Sequence, residues 1–252
     1  MIEVNNLSKF FGEKRVLRNI SLRFEQGKVN LIIGRSGSGK TVLMKSLIGL
    51  LTPEEGAILY SGRNFNTLSE KAKKELRREM GMVFQGSALF DSMTIEENVM
   101  FPLNILTSQS EKEKIERTNF CLARVDLAGA NHLYPSELSG GMKKRAAIAR
   151  AISCNPKYLF CDEPNSGLDP KTSLLIDQLL TEITHEFNMT TVINSHDLNS
   201  VITIGENIVF IYEGDLAWTG TKDQVLDTDN KLLNDFIYAQ PLTQKIRKNK
   251  TS

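Results

Sequence analysis

The chain lacks most of what would mark it as a disulfide scaffold, a zinc module or a membrane span. It has 252 residues and three cysteines. Cys121, Cys154 and Cys161 form an odd set with no CxxC spacing. That argues against a disulfide framework or a zinc site and fits a reducing compartment. No apolar run reaches the ~20 residues that a helix needs to cross a bilayer. Residues 1–12 carry Glu3 and Lys9 among polar positions, so no secretory leader is expected. The formal net charge is +1, so no global field points to nucleic acid or an anionic lipid surface. No internal repeat is visible, which sets solenoids and propellers aside. What remains is ordinary globular composition, long enough for one large domain or two intimate subdomains. Such a chain is expected to be soluble by itself, so any membrane role must come through a partner.

Against that background one segment stands out: Gly34-Arg35-Ser36-Gly37-Ser38-Gly39-Lys40-Thr41. It follows the apolar run Val29 to Ile33 and opens into Val42 to Leu51, expected to be helical. Strand, glycine-rich turn and helix in that order make a P-loop. Glycine lets backbone N–H groups curl around phosphate oxygens with no Cβ in the way. The helix N-terminus adds partial positive charge at the same point. In that motif Lys40 reaches the β- and γ-phosphates of ATP and Thr41 holds Mg²⁺.

The rest of the chain predicts an α/β fold with a parallel core and antiparallel strands near both ends. Residues 2–25 read as extended segments broken at Gly12-Glu13, with Ile20, Leu22 and Phe24 alternating against polar neighbours. Ala57–Tyr60, Gly81–Phe84, Tyr158–Cys161 and Thr190–Asn194 read as further strands. Residues 68–79 are dense in charge of both signs, which reads as a solvated helix face rather than a nucleic-acid patch. From 86 to about 155 the pattern is helical, with amphipathic stretches at Glu111–Val125 and Gly141–Ser153. Ile208–Tyr212 and Leu216–Thr219 flank Glu213-Gly214-Asp215 as a hairpin, with Trp218 as its core anchor. Residues 222–240 are expected to be helical, and 241–252 to be a solvated basic tail.

Two more clusters carry chemistry. Tyr158 to Cys161 is an apolar strand that runs into Asp162 and Glu163. Asp162 at the strand tip is placed for Mg²⁺, and Glu163 to polarise an attacking water. Leu138-Ser139-Gly140-Gly141-Met142 precedes a helix rich in alanine and isoleucine, and forms a second anion-binding helix N-terminus. This segment, a little over twenty residues before the two acids, resembles the signature motif of ABC (ATP-binding cassette) ATPases.

The resemblance extends over nearly the whole chain. It implies the P-loop NTPase fold of ABC ATPases: residues 1–240 form one ATPase domain, with 1–85 and 156–240 as catalytic core and 86–155 as a helical signature subdomain. It implies that Phe11 stacks on adenine, and that Gly34, Ser36, Gly37, Ser38, Gly39 and Lys40 hold the phosphates. Ser139, Gly140, Gly141 and Asp169, the last in the D-loop Ser166-Gly167-Leu168-Asp169, complete the nucleotide site from a second copy of the chain. Thr41, Gln85 and Asp162 are the implied Mg²⁺ ligands. Glu163, His196 and Gln85 are the implied catalytic groups. His132 and His185 match nothing in the pattern. Met142 stands where glutamine is usual, Phe11 where tyrosine is, Cys161 where a larger aliphatic residue is and Asn165 where threonine is. None of these departures removes a catalytic group, so an active ATPase is expected.

Two tracts narrow the system. Gly86 to Val99 has Asp91-Ser92 where many solute importers carry Pro-His, and Gly140 to Arg145 reads Gly-Gly-Met-Lys-Lys-Arg. Both resemble ATPases of the Mla type, which energise phospholipid transport between membranes. That implies a homodimer at the cytoplasmic face of the inner membrane. Its partners would be integral-membrane permease subunits and a membrane-anchored lipid-binding protein, with no nucleic acid. Lipoprotein or amino-acid transport, and a cell-division-type ATPase that moves no substrate, are the rival expectations.

Overall fold

The structure is a computed structural model and describes residues 1–238. The expected basic tail and the end of the 222–240 stretch lie outside the described residues. The chain divides into two compact units, one of Met1–Glu25, Asn30–Asn66 and the described part of Asn194–Ser252, the other of Gln26–Val29 and Thr67–Ile193.

The first unit begins with an antiparallel pair, β1 (Ile2–Phe11) and β2 (Lys14–Phe24). Strand β3 (Val29–Ile33) is buried at every position, as its unbroken apolar sequence dictates. Helix α1 (Lys40–Leu47) follows, then β4 (Glu55–Tyr60) and β5 (Arg63–Asn64). The antiparallel sheet runs β2-β1-β4-β5. Its first pair shifts register between Val4 and Leu7, between Leu7 and Lys9, and between Lys9 and Phe10. Asn6 and Asn19, both with φ of 50°, lie at the first two of these shifts. Asparagine accepts that left-handed conformation better than most residues, which is why it serves at bulges. Helix α1 stops four residues short of the expected Leu51. Gly49 turns the chain with a φ of 74°, and the N–H groups of Leu50 and Leu51 fold back onto the Lys45 carbonyl.

The second unit carries α2 (Glu70–Arg78), β6 (Met80–Val83), α3 (Ile95–Leu106), α4 (Glu111–Arg124), α5 (Gly140–Ile152), β7 (Tyr158–Asp162), α6 (Pro170–Glu186) and most of β8 (Thr190–Ser195). Its strands lie in the order β8-β7-β6, with β6 parallel to β7. The charged face of α2 is laced by Lys73–Glu70 and Arg78–Glu75 pairs, the solvated arrangement expected of it. Helices α3 and α4 each start in a reciprocal capping box, Thr94 with Glu97 and Ser110 with Glu113. Arg117 of α4 donates to the carbonyls of Ile152 and Ser153, both at 2.8 Å, and so caps the end of α5.

Back in the first unit come α7 (Leu198–Ile204), β9 (Asn207–Tyr212), β10 (Asp215–Gly220), α8 (Lys222–Val225) and α9 (Lys231–Ile237). Strand β9 runs parallel to β3, and β10 pairs back on it as the expected hairpin. The helical stretch expected from 222 divides into two short helices: Asn230 accepts from the Leu233 N–H and starts a fresh helix after a polar break. One expectation fails here. Trp218 is half-buried rather than a core anchor; its ring packs over Gly220, where a Cβ would lie 2.4 Å from Cζ2.

Candidate functional site

The first unit builds a phosphate cradle. Buried β3 ends at Gly34, whose φ is 153° and whose added Cβ would lie 2.3 Å from the Ile211 carbonyl oxygen. Only glycine fits that close approach. Arg35, Ser36 and Gly37 form the exposed tip of the loop, while Ser38, Gly39 and Lys40 are buried. The Gly214 N–H of the β9–β10 turn donates to the Ser38 carbonyl at 3.0 Å and holds the loop from behind. No side chain caps α1, so its first-turn N–H groups are left for an outside acceptor. Among the described residues, the buried Ser38 hydroxyl has no hydrogen-bond partner. The Lys40 ammonium is folded onto the Gly34 and Arg35 carbonyls, at 2.9 and 3.0 Å. A loop that combines a lysine cation, a helix N-terminus with no side-chain cap and a hydroxyl without a partner fits a polyphosphate. Thr41, at the start of α1, accepts a long 3.5 Å bond from Asn194.

Phe11 ends β1 with its ring half exposed, and Lys9 Nζ lies 5.3 Å from the ring centroid. Lys9 itself is held by Glu54 and by the Thr52 carbonyl. His196 is exposed just beyond β8.

The second unit gathers the other candidates into two groups. In the first, Gln85 Nε2 donates to Glu163 Oε2 at 3.1 Å and to Ser166 Oγ at 3.2 Å. Asp162 ends β7, half-buried, and Glu163 follows with a φ of 47°. That left-handed conformation is unusual for a glutamate, and strain of this kind is concentrated at functional positions. Below the acids, burial pushes the Cys161 thiol far up, and it raises Cys121 to about 11; both are packing groups rather than nucleophiles. The three cysteines are all free.

In the second group, Ser139, Gly140, Gly141 and Asp169 share the wall of a cavity of about 520 Å³ with Arg145 and Leu175. The Ser139 hydroxyl accepts from the Met142 N–H and caps α5. Gly141 runs so close to α6 that an added Cβ would lie 2.7 Å from Thr172 Cγ2. Asp169 caps α6 through the Lys171 and Thr172 N–H groups, and the Thr172 hydroxyl and N–H hold its carboxyl below the usual range.

Two residues that the sequence did not single out matter here. Lys144 buries its ammonium and donates to the Gln85 carbonyl. Arg150 buries its guanidinium and donates to the Ser87 and Ala88 carbonyls at 2.8 and 2.7 Å. It also lines an apolar groove of about 470 Å³ with Met82, Phe84, Phe90, Phe101 and Leu106. Neither position has a local pattern; both contacts join residues about sixty apart in sequence.

The family described as ABC transporter matches residues 17–166. The chain belongs to the ABC transporter family. It is an ATP-binding ATPase domain of that family and has its mixed fold of parallel sheet, antiparallel sheet and helices. A Mycobacterium tuberculosis relative, named as a probable ribonucleotide transport ATP-binding protein mkl, is 38% identical over 94% of the chain and 66% of its own length. The chain thus spans slightly less than two thirds of that relative. The intermembrane phospholipid transport ATP-binding protein MlaF of Haemophilus influenzae is 37% identical over 94% of the chain and 90% of its own length. The methionine import ATP-binding protein MetN of Campylobacter jejuni is 35% identical over 94% and 75%. Among solved structures, the dimeric post-hydrolysis state of the ATP-binding cassette MJ0796 bound to ADP and Pi superposes with a TM-score of 0.78 at 32% identity, covering 88% of this chain and 99% of that one.

Proposed function

We propose that this ABC ATPase hydrolyses ATP as a homodimer to energise phospholipid transport between membranes. The observation that carries the substrate is the MlaF match, which takes in 90% of that relative's length. The mkl and MetN relatives are as similar but longer, so ribonucleotide or methionine transport is the second reading.

The proposed roles follow from the groups in place. Phe11 offers a π-face for the base, which needs no hydrogen-bond match. Lys40, the α1 N-terminus and Ser38, with Gly34, Ser36, Gly37 and Gly39, receive the phosphates. Thr41, Asp162 and Gln85 would hold Mg²⁺, which when bound neutralises phosphate charge. Among the described residues no cluster of three or more His, Cys, Asp or Glu could hold a metal alone. That suits Mg²⁺, which takes one or two protein oxygens and completes its shell with phosphate and water. Glu163, held by Gln85, polarises the attacking water, and His196 contacts the γ-phosphate. Ser139, Gly140, Gly141 and Asp169 meet the nucleotide of a second copy. Binding energy drives closure, and hydrolysis releases it. The apolar groove beside Phe90 is the proposed seat of a permease helix at the cytoplasmic face of the inner membrane.

The test is purification of Glu163→Gln from its native membrane with ATP, followed by mass spectrometry of bound protein and lipid. A permease, a membrane-anchored lipid-binding protein and phospholipid are the expected company. A solute-binding partner without phospholipid would overturn the substrate. Undiminished ATP turnover by this variant would take the water-polarising role from Glu163.

A further inference from the structure

Lys144 lies in the second turn of α5, five residues beyond the cap that Ser139 provides. It is 5% exposed. An ammonium has three donors and a full charge to satisfy. Among the described residues Lys144 gives one hydrogen bond, to the backbone carbonyl of Gln85, and its charge is met mainly by Glu163. Burial accordingly draws its pKa below the usual lysine range, and the Glu163 carboxylate works against that shift.

As a fold device this is a poor choice. A methionine has similar length and would fill the same space with no cation to desolvate. The lysine chemistry is useful only through what it touches. The Gln85 carbonyl lies two residues beyond the end of β6, on the residue whose side-chain amide reaches both Glu163 and Ser166. Fixing that carbonyl fixes the stalk from which the amide reaches. The same ammonium places a positive charge near the carboxylate that the amide holds. It does so from the helix that begins at Ser139, Gly140 and Gly141.

We infer that Lys144 is a positioning residue for hydrolysis, tying the signature helix α5 to Gln85 and, through it, to Glu163. The inference rests on the hydrolytic roles proposed above for Gln85 and Glu163. A shift of the α5 N-terminus is then transmitted to the water-activating pair through one hydrogen bond. Nucleotide affinity is left to the cradle.

The experiment uses the complex purified from its native membrane through a tag on the full chain, with Mg-ATP as substrate and a fluorescent ATP analogue as binding probe. Lys144→Met should lower kcat about tenfold or more, as a misplaced catalytic group does. KM and analogue affinity should stay within about twofold of wild type, and thermal stability should be equal or higher. Lys144→Arg, which keeps a cation and a donor, should recover most of the rate. In a Gln85→Ala background, Lys144→Met should cost less than about twofold more, because the two act in series. A kcat loss below twofold would overturn the inference, and so would a full additional loss in the Gln85→Ala background. A fall in melting temperature that tracks the rate would reduce Lys144 to a structural role. If Lys144→Met does not fold, Lys144→Gln is judged by the same limits. Turnover that survives Glu163→Gln would remove the underlying reading instead, and a different variant reports it.

Discussion

Replacing Arg150 by methionine should destabilise the second unit by about 2–4 kcal/mol, and the structure supplies the parts of that sum. Arg150 is 9% exposed and donates to the carbonyls of Ser87 and Ala88 at 2.8 and 2.7 Å. Each charge-assisted bond contributes about 1.5–3 kcal/mol. Part of that is offset because methionine brings no guanidinium to desolvate. The bonds also hold an uncomfortable backbone: Ser87 and Ala88 have φ of 63° and 50°, two consecutive left-handed residues that are not glycine. Such a conformation costs about 1–2 kcal/mol per residue. Without the guanidinium those two bonds no longer offset it, and the 84–92 loop should relax. Ala88→Gly should act in the opposite sense and stabilise by about 1 kcal/mol, since glycine adopts the conformation without strain. Urea unfolding of the purified chain reads both effects. A loss below about 1 kcal/mol for Arg150→Met would refute the reasoning. So would destabilisation by Ala88→Gly, because it would mean that the loop carries no strain for Arg150 to hold.

Gly34→Ala should lose both stability and ATP binding, because its Cβ would lie 2.3 Å from the backbone oxygen of Ile211, which has no side-chain freedom to yield. Wild-type affinity for a fluorescent ATP analogue in that variant would contradict the close approach. The Lys9–Glu54 contact should shape the acid limb of stability. The Lys9 hydrogen bond holds the Glu54 carboxyl below the ordinary glutamate value. Its stabilisation is therefore complete above that value and disappears as pH falls through the folded pKa. Lys9→Met should flatten the stability profile below pH ~4.5; an unchanged profile would show that the pair contributes nothing to folding.

Where order was written locally, the sequence revealed it. The P-loop is a run of eight residues between an apolar strand and a helix, and each part is visible in the letters. The amphipathic stretch Glu111–Val125 announces α4 in the same way, and folding closes its start with a capping box of Ser110 and Glu113. The parallel strands were legible as short apolar runs ending in polar loops. The failures have a common cause. Leu50 and Leu51 continue an apolar pattern and so predict helix to Leu51, yet Gly49 turns the chain and leaves Leu50 exposed. The stretch from 222 reads as helical without a visible boundary because Thr228 to Asn230 has weak breakers, and it is the Asn230 contacts with Leu233 and Ala217 that start the second helix. Lys144 and Arg150 read in the sequence only as members of a basic, helical run. Their importance comes from carbonyls that folding brings from about sixty residues away, and no pattern along α5 encodes that.

The paired bulges of β1 and β2 bear on how this ribbon can change over generations. The shift at Asn6 adds a residue to β1, and the shift at Asn19 adds one to β2, so the offset introduced by the first is cancelled by the second. A one-residue slip sends every side chain beyond it to the opposite face. Deleting Asn6 alone would therefore turn one end of β1 inside out with respect to β2. Deleting Asn6 and Asn19 together restores a continuous ladder from Ile2 to Lys9, in which Ile2 still faces Phe24 and Leu7 still faces Ile20. Between Ile2 and Lys9, length variation is thus constrained to occur in matched pairs, and a gap in one strand calls for a gap in the other.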